Sequence, residues 1–233
     1  MRALLFDLDG TLTQGGGAGG RALGQALRKR PQASEELRKM RLDGMTDRSI
    51  ARIVLAAEGD QGIALERRIA AVTEAEIDAV LVRYLEALAV ECGRNPYLPL
   101  PGIAELLPRL QAHAGVLLGL CTGNHARGAE LKLVSAGLWG PFRFGGYGSD
   151  AEPRAQIVRT AWRRAQELGA TEALVIGDTP RDILAAHEVG LPACAVATGR
   201  FTVHDLAEHG AEMVVQDFSN PGAAEVLLLG PLR

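Results

Sequence analysis

Cysteine is scarce and unpatterned in this chain. Cys92, Cys121 and Cys194 are the only three in 233 residues, odd in number, far apart and without any Cys-x-x-Cys spacing. A disulfide framework and a structural zinc site are therefore not expected, and a reducing cytoplasm is the expected compartment. Aromatic residues make up only 4%, which removes the usual signs of a stacking platform for nucleotide bases. No sign of charge dominates: 25 Lys+Arg stand against 28 Asp+Glu, a net charge of -3. That balance argues against a surface built for nucleic acid or for an anionic membrane. Long apolar runs are missing as well. Residues 114–121 and 226–229 fall far short of the roughly 20 needed to span a bilayer, and Asp7 and Asp9 interrupt the apolar start before a signal segment forms. The five histidines contain no His-x-x-x-His pair, so any metal chemistry must use oxygen ligands.

What is present is an ordinary globular composition, 47% hydrophobic and 23% charged, in a chain about one and a half times the length of a typical domain of ~150 residues. Residues 3–6 form a short apolar run that stops at Asp7-Leu8-Asp9-Gly10-Thr11, the pattern of a buried strand ending in a loop. From about 21 to 91 the chain turns rich in Ala, Leu, Arg and Glu, with apolar residues at helical spacing. Ile50, Ile53, Val54 and Ala57 share one face, as do Ile77, Val80, Leu81, Tyr84, Leu85 and Leu88, which predicts three to five helices. The breaker-rich stretch 95–102 ends this block.

Beyond it, the spacing predicts helices over 103–112, 125–136, 154–168 and 182–189, alternating with strands over 116–121, 173–176, 193–197 and 213–215. Apolar strands separated by helices indicate an α/β fold, a Rossmann-like doubly wound parallel sheet covered on both faces. The helical block then reads as an insertion. The expected division is a discontinuous α/β domain of residues 1–15 and 96–233, with an all-helical domain of residues 16–95 on top.

Three of the expected strands end in polar clusters. Residues 3–6 run into Asp7 and Asp9, residues 116–121 into Thr122-Gly123-Asn124, and residues 173–176 into Gly177-Asp178-Thr179-Pro180-Arg181-Asp182. In an open parallel sheet ligands bind outside the carboxyl ends of the strands, so these clusters should converge. Four carboxylates, Asp7, Asp9, Asp178 and Asp182, around one pocket repel each other strongly. A divalent cation relieves that repulsion, and all-oxygen ligation points to Mg2+ held by these four residues.

Asp7-Leu8-Asp9-Gly10-Thr11-Leu12-Thr13, followed in order by the Thr122 and Asp178 clusters, resembles the haloacid dehalogenase superfamily of phosphohydrolases, most closely its phosphoglycolate phosphatase-like branch. The resemblance spans the whole length, because an insertion between the first and second motifs is that superfamily's helical cap. It implies that Asp7 is a nucleophile forming an aspartyl-phosphate, that Asp9 is the general acid and base and also lends its main-chain carbonyl to the metal, and that Asp178 and Asp182 are metal ligands. Thr122, Gly123 and Asn124 would hold phosphate oxygens, helped by N–H groups opening onto the next helix.

The superfamily also uses a basic residue against the phosphoryl group. Arg154, 24 residues before Asp178, is preferred over Lys132, which is expected on an exposed helix face. Within the insertion, the polar turn at Asp43-Gly44-Met45-Thr46-Asp47-Arg48 corresponds by resemblance to the loop that overhangs the site. Arg48 is a candidate for a substrate carboxylate or second phosphate, and Thr46 for a helix cap. Gly15-Gly16-Gly17-Ala18-Gly19-Gly20 contains Gly-x-Gly-x-x-Gly, but it lies eight residues past Asp7 with no second strand following, so it reads as a hinge and not as a dinucleotide site.

The expected activity is Mg2+-dependent hydrolysis of a small phosphorylated metabolite, phosphoglycolate-like or a sugar phosphate, by a monomer or homodimer. The alternatives are a sugar phosphomutase of the same superfamily or a non-catalytic phosphate-sensing or partner-binding protein.

Overall fold

The computed structural model describes residues 1–231. The first apolar run becomes β1 (Arg2–Phe6), in which Ala3, Leu4, Leu5 and Phe6 are wholly buried. A strand apolar on both faces suits only the interior of a sheet covered on both sides. It pairs in parallel with β4 (Val116–Thr122) on one flank and β6 (Glu172–Gly177) on the other, with Leu4 opposite both Leu118 and Leu174. Beyond β4 lies β5 (Phe144–Tyr147); beyond β6 lie β7 (Ala193–Val196) and β8 (Met213–Val215). The order is β5-β4-β1-β6-β7-β8, every pair parallel. The chain builds outward from β1 on one side, then returns to build on the other, so β1 marks the switch point where a crevice opens at the carboxyl ends of the strands.

Strand alternation sorts the two faces. Leu4 and Phe6 join Leu106, Leu107, Leu133 and Leu228 from α6 (Ile103–Gln111), α7 (Ala126–Ser135) and α11 (Pro221–Leu229). Ala3 and Leu5 point the other way, to Ile157, Ala161 and Ile183 of α8 (Arg154–Glu167) and α9 (Pro180–Val189). A short helix, α10 (Val203–Glu208), lies between β7 and β8.

The helical insert leaves and returns through a two-stranded antiparallel ribbon, β2 (Thr13–Gln14) and β3 (Leu98–Pro99). Between them run α1 (Ala18–Ala26), α2 (Pro31–Lys39), α3 (Asp47–Ala56), α4 (Leu65–Ala71) and α5 (Glu74–Arg94). The long α5 starts at a reciprocal capping box between Thr73 and Glu76. Of its predicted stripe, Ile77, Val80, Leu81, Tyr84 and Leu88 are buried and Leu85 is half-buried, in an apolar cluster with Ala18, Ala22 and Leu23 of α1 that is separate from the two beside the sheet.

The predicted strands and helices of the second half appear with ends shifted by no more than two residues, while β5, α10, α11 and the ribbon were not foreseen. β5 reads Phe144-Gly145-Gly146-Tyr147, and paired glycines are a poor strand signal. Among the described residues no helix is long and apolar enough to cross a membrane, and all three cysteines are buried and free.

Candidate active site

The three polar clusters meet at the carboxyl ends of β1, β4 and β6, where Asp7, Asp9, Thr122, Gly123, Asn124 and Asp178 border one cavity of about 320 Å³. Asp7 follows β1 directly, and its N–H donates to Ile176 of β6 at 2.7 Å, so strand pairing fixes it at the sheet's edge. The chain then turns tightly, with Gly10 at φ +85°. A Cβ on Gly10 would lie 2.3 Å from Asp178 Oδ2, and one on Gly199 would lie 1.8 Å from the same oxygen. Two bare backbones thus keep open the space around that carboxylate.

Asp7, Asp178 and Asp182 each offer an oxygen within 4.8 Å of the others, and all three are buried. Burial raises the Asp7 carboxyl to about 6, with Arg154 opposing and Asp182 adding to the shift. Burial, reinforced by Asp7 and Asp182, pushes Asp178 well above the usual carboxylate range. These shifts reflect an acidic cluster short of positive charge. A donor set made only of carboxylate oxygens, with space left around one of them, fits a hard divalent cation.

Arg154 is the one cation inside this cluster. Its guanidinium lies 2.8 Å from Asp7 Oδ1 and also bonds Asp182, while its Nε is buried without a partner. The carboxylates around it more than offset the burial that opposes its charge. Thr179 donates its hydroxyl to Asp182 Oδ2 at 2.7 Å, and Thr11 donates to Asp178 Oδ1 at 3.3 Å.

Asp9 stands apart from these acids. Its Oδ2 accepts from Lys132 Nζ at 2.6 Å and from Asn124 Nδ2 at 2.8 Å, and the trio of acids close enough to share an ion does not include it. Lys132, expected on an exposed face, is instead only 4% exposed. It also donates to Asn124 Oδ1 at 2.5 Å and lies 5.3 Å from the centre of the Tyr97 ring. Burial works against its charge, but Asp9 and the surrounding phenols and carboxylates more than offset that, holding the ammonium well above its usual range. Helical spacing places Lys132 beside Ala129 and Leu133, which are buried on the same face of α7; a lone lysine on that apolar face was the available signal.

Two further expectations need correction. Arg48 does not border the cavity. It pairs with Asp78 at 2.8 Å and with Glu74, because the start of α5 sets acids in front of it. Thr46 does cap α3, its Oγ1 accepting from Ser49 N at 3.1 Å. The N–H groups at the start of α7, expected to hold phosphate, are already engaged. Asn124 N donates to Thr122 Oγ1, Ala126 N to Ser149, Arg127 N to the His125 ring, and His125 N to Asp47 Oδ2 at 2.7 Å.

Asp47, the first residue of α3, was not singled out from sequence as a site residue, because an acid at a helix start reads as a dipole partner. It fastens the insert to the sheet, since its own N–H also donates to the Gly123 carbonyl at 2.9 Å. That approach requires glycine at 123, where a Cβ would lie 2.3 Å from the Met45 carbonyl oxygen. Tyr84, Tyr97 and the glycines of α1 also border the cavity and were likewise unforeseen; the cluster Gly15 to Gly20 forms cavity wall as well as helix start.

Comparison with known proteins agrees with this geometry. Residues 1–190 match the family model described as haloacid dehalogenase-like hydrolase. Over 232 residues the chain is 32% identical to the Dickeya dadantii protein named "Probable phosphatase IndB", covering 97% of this chain and 94% of that protein. It is 29% identical over 233 residues to a phosphoglycolate phosphatase of Rhodospirillum rubrum, covering 95% and 89%. The crystal structure of CbbY from Rhodobacter sphaeroides in complex with phosphate superimposes with a TM-score of 0.70 at 21% identity, covering 94% of this chain and 96% of that one. A hydrolase from Pseudomonas syringae gives the same TM-score and identity over 99% and 100%. With that match over most of its length, the chain belongs to the haloacid dehalogenase-like hydrolase family and is an enzyme.

Proposed function

We propose that the protein is a Mg2+-dependent phosphomonoesterase that hydrolyses a small phosphate ester through an aspartyl-phosphate on Asp7. The carrying observation is the pairing of Asp7 with Arg154 at 2.8 Å, within the trio of buried carboxylates formed by Asp7, Asp178 and Asp182. A nucleophile with a cation beside it, next to an all-oxygen donor set for a divalent ion, is what an incoming phosphoryl group needs.

Asp7, Asp178 and Asp182, with the Asp9 main-chain carbonyl, would hold Mg2+. When bound, the ion supplies positive charge between the nucleophile and an anionic ester. Arg154 meets the equatorial oxygens of the phosphoryl group, and Thr122 contributes its hydroxyl. An Asp7 carboxylate oxygen attacks phosphorus as the ester P–O bond breaks, and Asp9 gives the leaving alkoxide its proton. Water then attacks the phosphorus of the acyl phosphate, Asp9 takes its proton, and inorganic phosphate leaves. Lys132 and Asn124 hold Asp9 in place through both steps. Residues 1–15 and 96–233 carry this chemistry, and residues 16–95 form the cap that covers it.

Asp7→Asn keeps size and shape but loses the charged nucleophile. Its hydrolysis of 4-nitrophenyl phosphate should fall at least about a thousandfold, with an unchanged circular dichroism spectrum. Turnover close to that of the unsubstituted protein would remove Asp7 from the reaction.

A further inference from the structure

The cavity continues past the acidic cluster into the helical insert, and its character changes there. Gly19, Leu23, Met45, Ile50, Leu81 and Tyr84 border this inner chamber. Among the described residues, the cavity is bordered by three cations, Lys132, Arg154 and Arg200, and each has an acid within 4 Å. Arg154 is held by Asp7 and Asp182. Lys132 is held by Asp9 and Asn124. Arg200 sits at the mouth, its side chain 49% exposed and 3.6 Å from Asp43. Arg48, at the start of α3, is taken by Glu74 and Asp78 of α5, and Arg41, on the loop between α2 and α3, is exposed and outside the cavity lining.

Among the described residues the insert turns two acids, Asp43 and Asp47, and no base toward the cavity. A second negative charge on a substrate would therefore leave water to face apolar walls and aspartates, with every cation there already beside an acid. Neutral polar contacts are available instead. A Cβ on Gly19 would lie 3.3 Å from the Tyr97 hydroxyl and 3.8 Å from both the Tyr84 hydroxyl and Lys132 Nζ, so both phenols open onto the space that this glycine leaves, beside an ammonium already paired with Asp9. Burial raises the Tyr97 phenol to about 12 and pushes that of Tyr84 well above its usual range, which keeps both neutral and able to donate.

We propose that this site selects monophosphate esters of uncharged alcohols, with an apolar or ring-bearing body against the insert and hydroxyl groups toward Tyr84 and Tyr97, and that it discriminates against esters whose alcohol carries a carboxylate or a second phosphate. This rests on the phosphatase reading above and narrows it, since it sets the chain apart from its relatives named for phosphoglycolate. The discrimination comes from a missing attraction and a like charge together.

The test compares kcat/KM of the Mg2+-loaded enzyme for 2-hydroxyethyl phosphate, benzyl phosphate and 2-phosphoglycolate. The first and last are nearly the same size and differ in the charge of the alcohol. Both uncharged esters should exceed phosphoglycolate by about tenfold or more. Equal values, or a preference for phosphoglycolate, would overturn the inference while leaving the phosphatase reading intact. Hydrolysis of none of the three, nor of 4-nitrophenyl phosphate, would end both.

A second variant checks the location. Met45→Lys places an ammonium on the half-buried wall of the chamber and should shift the ratio of phosphoglycolate to 2-hydroxyethyl phosphate about tenfold toward the acid. An unchanged ratio in a folded variant counts against the chamber as the place where the alcohol sits.

Discussion

Asp47 shows how much a single side chain sets in this protein. It joins the insert to the sheet through His125 N and the Gly123 carbonyl, and it borders the cavity in which the proposed substrate's alcohol would sit. Burial raises its carboxyl from the ordinary 3.8 to about 6, with Lys132 and the His125 N–H opposing. Between those values the folded state keeps a proton that the unfolded chain has released. Stability therefore falls as pH rises through that window, and the cost of the charge is fully present above about 6. Asp47→Asn retains an oxygen to accept from His125 and removes the charge. The melting temperature of the variant, relative to the unsubstituted protein, should rise from pH 4 to pH 6 and then level off. Melts by circular dichroism across pH 4–8 check this, and a difference that does not change with pH would mean that burial of this charge is not the cause.

At the scale of elements, the strands that carry the site were legible because they are buried on both faces. Ala3 to Phe6 and Ala173 to Ile176 have no polar residue to blur the run, and each is punctuated by an aspartate. β5 was hidden for the opposite reason. Gly145 and Gly146 give no hydrophobic pattern, yet α8 packs so close that a Cβ on Gly146 would lie 2.2 Å from the Ile157 carbonyl oxygen and 3.0 Å from Ala161 N. Only the assembled sheet and helix create that requirement, so no local pattern could announce it. The partners of Arg48 likewise lie on another element, and for Lys132 the apolar face of α7 signals burial but not its partner Asp9, 123 residues away. Gly146→Ala should cost about 2–4 kcal/mol in urea unfolding, because main chain must move to admit the methyl. Gly115→Ala, where no atom lies within 4 Å of the added carbon, should stay within about 0.5 kcal/mol. Equal costs at both positions would show that the contact between α8 and β5 is not what excludes the methyl.

For the whole molecule, a net charge of -3 conceals an uneven distribution. Five acidic side chains, Asp7, Asp9, Asp43, Asp47 and Asp178, border the same cavity as three basic ones, and Asp182 adds to the cluster behind them. Such crowding lowers the stability of the metal-free fold, a cost set by function and not by folding. The Mg2+ proposed for this site, bound only by the folded state, would stabilise it by mass action. The melting temperature should rise with millimolar MgCl2, fall back with EDTA, and stay nearly unchanged with NaCl of equal ionic strength. Asp178→Asn separates the two effects. Without metal the variant loses a buried charge that its neighbours oppose, while its oxygen can still accept from Thr11, so it should melt at or above the unsubstituted protein. With Mg2+ it has lost a ligand, so its melting temperature should hardly respond and should fall below that of the unsubstituted protein. A crossing of the two curves between EDTA and MgCl2 is the signature of a carboxylate kept for the metal at the expense of the fold. An equal Mg2+ response in both proteins would place the ion elsewhere.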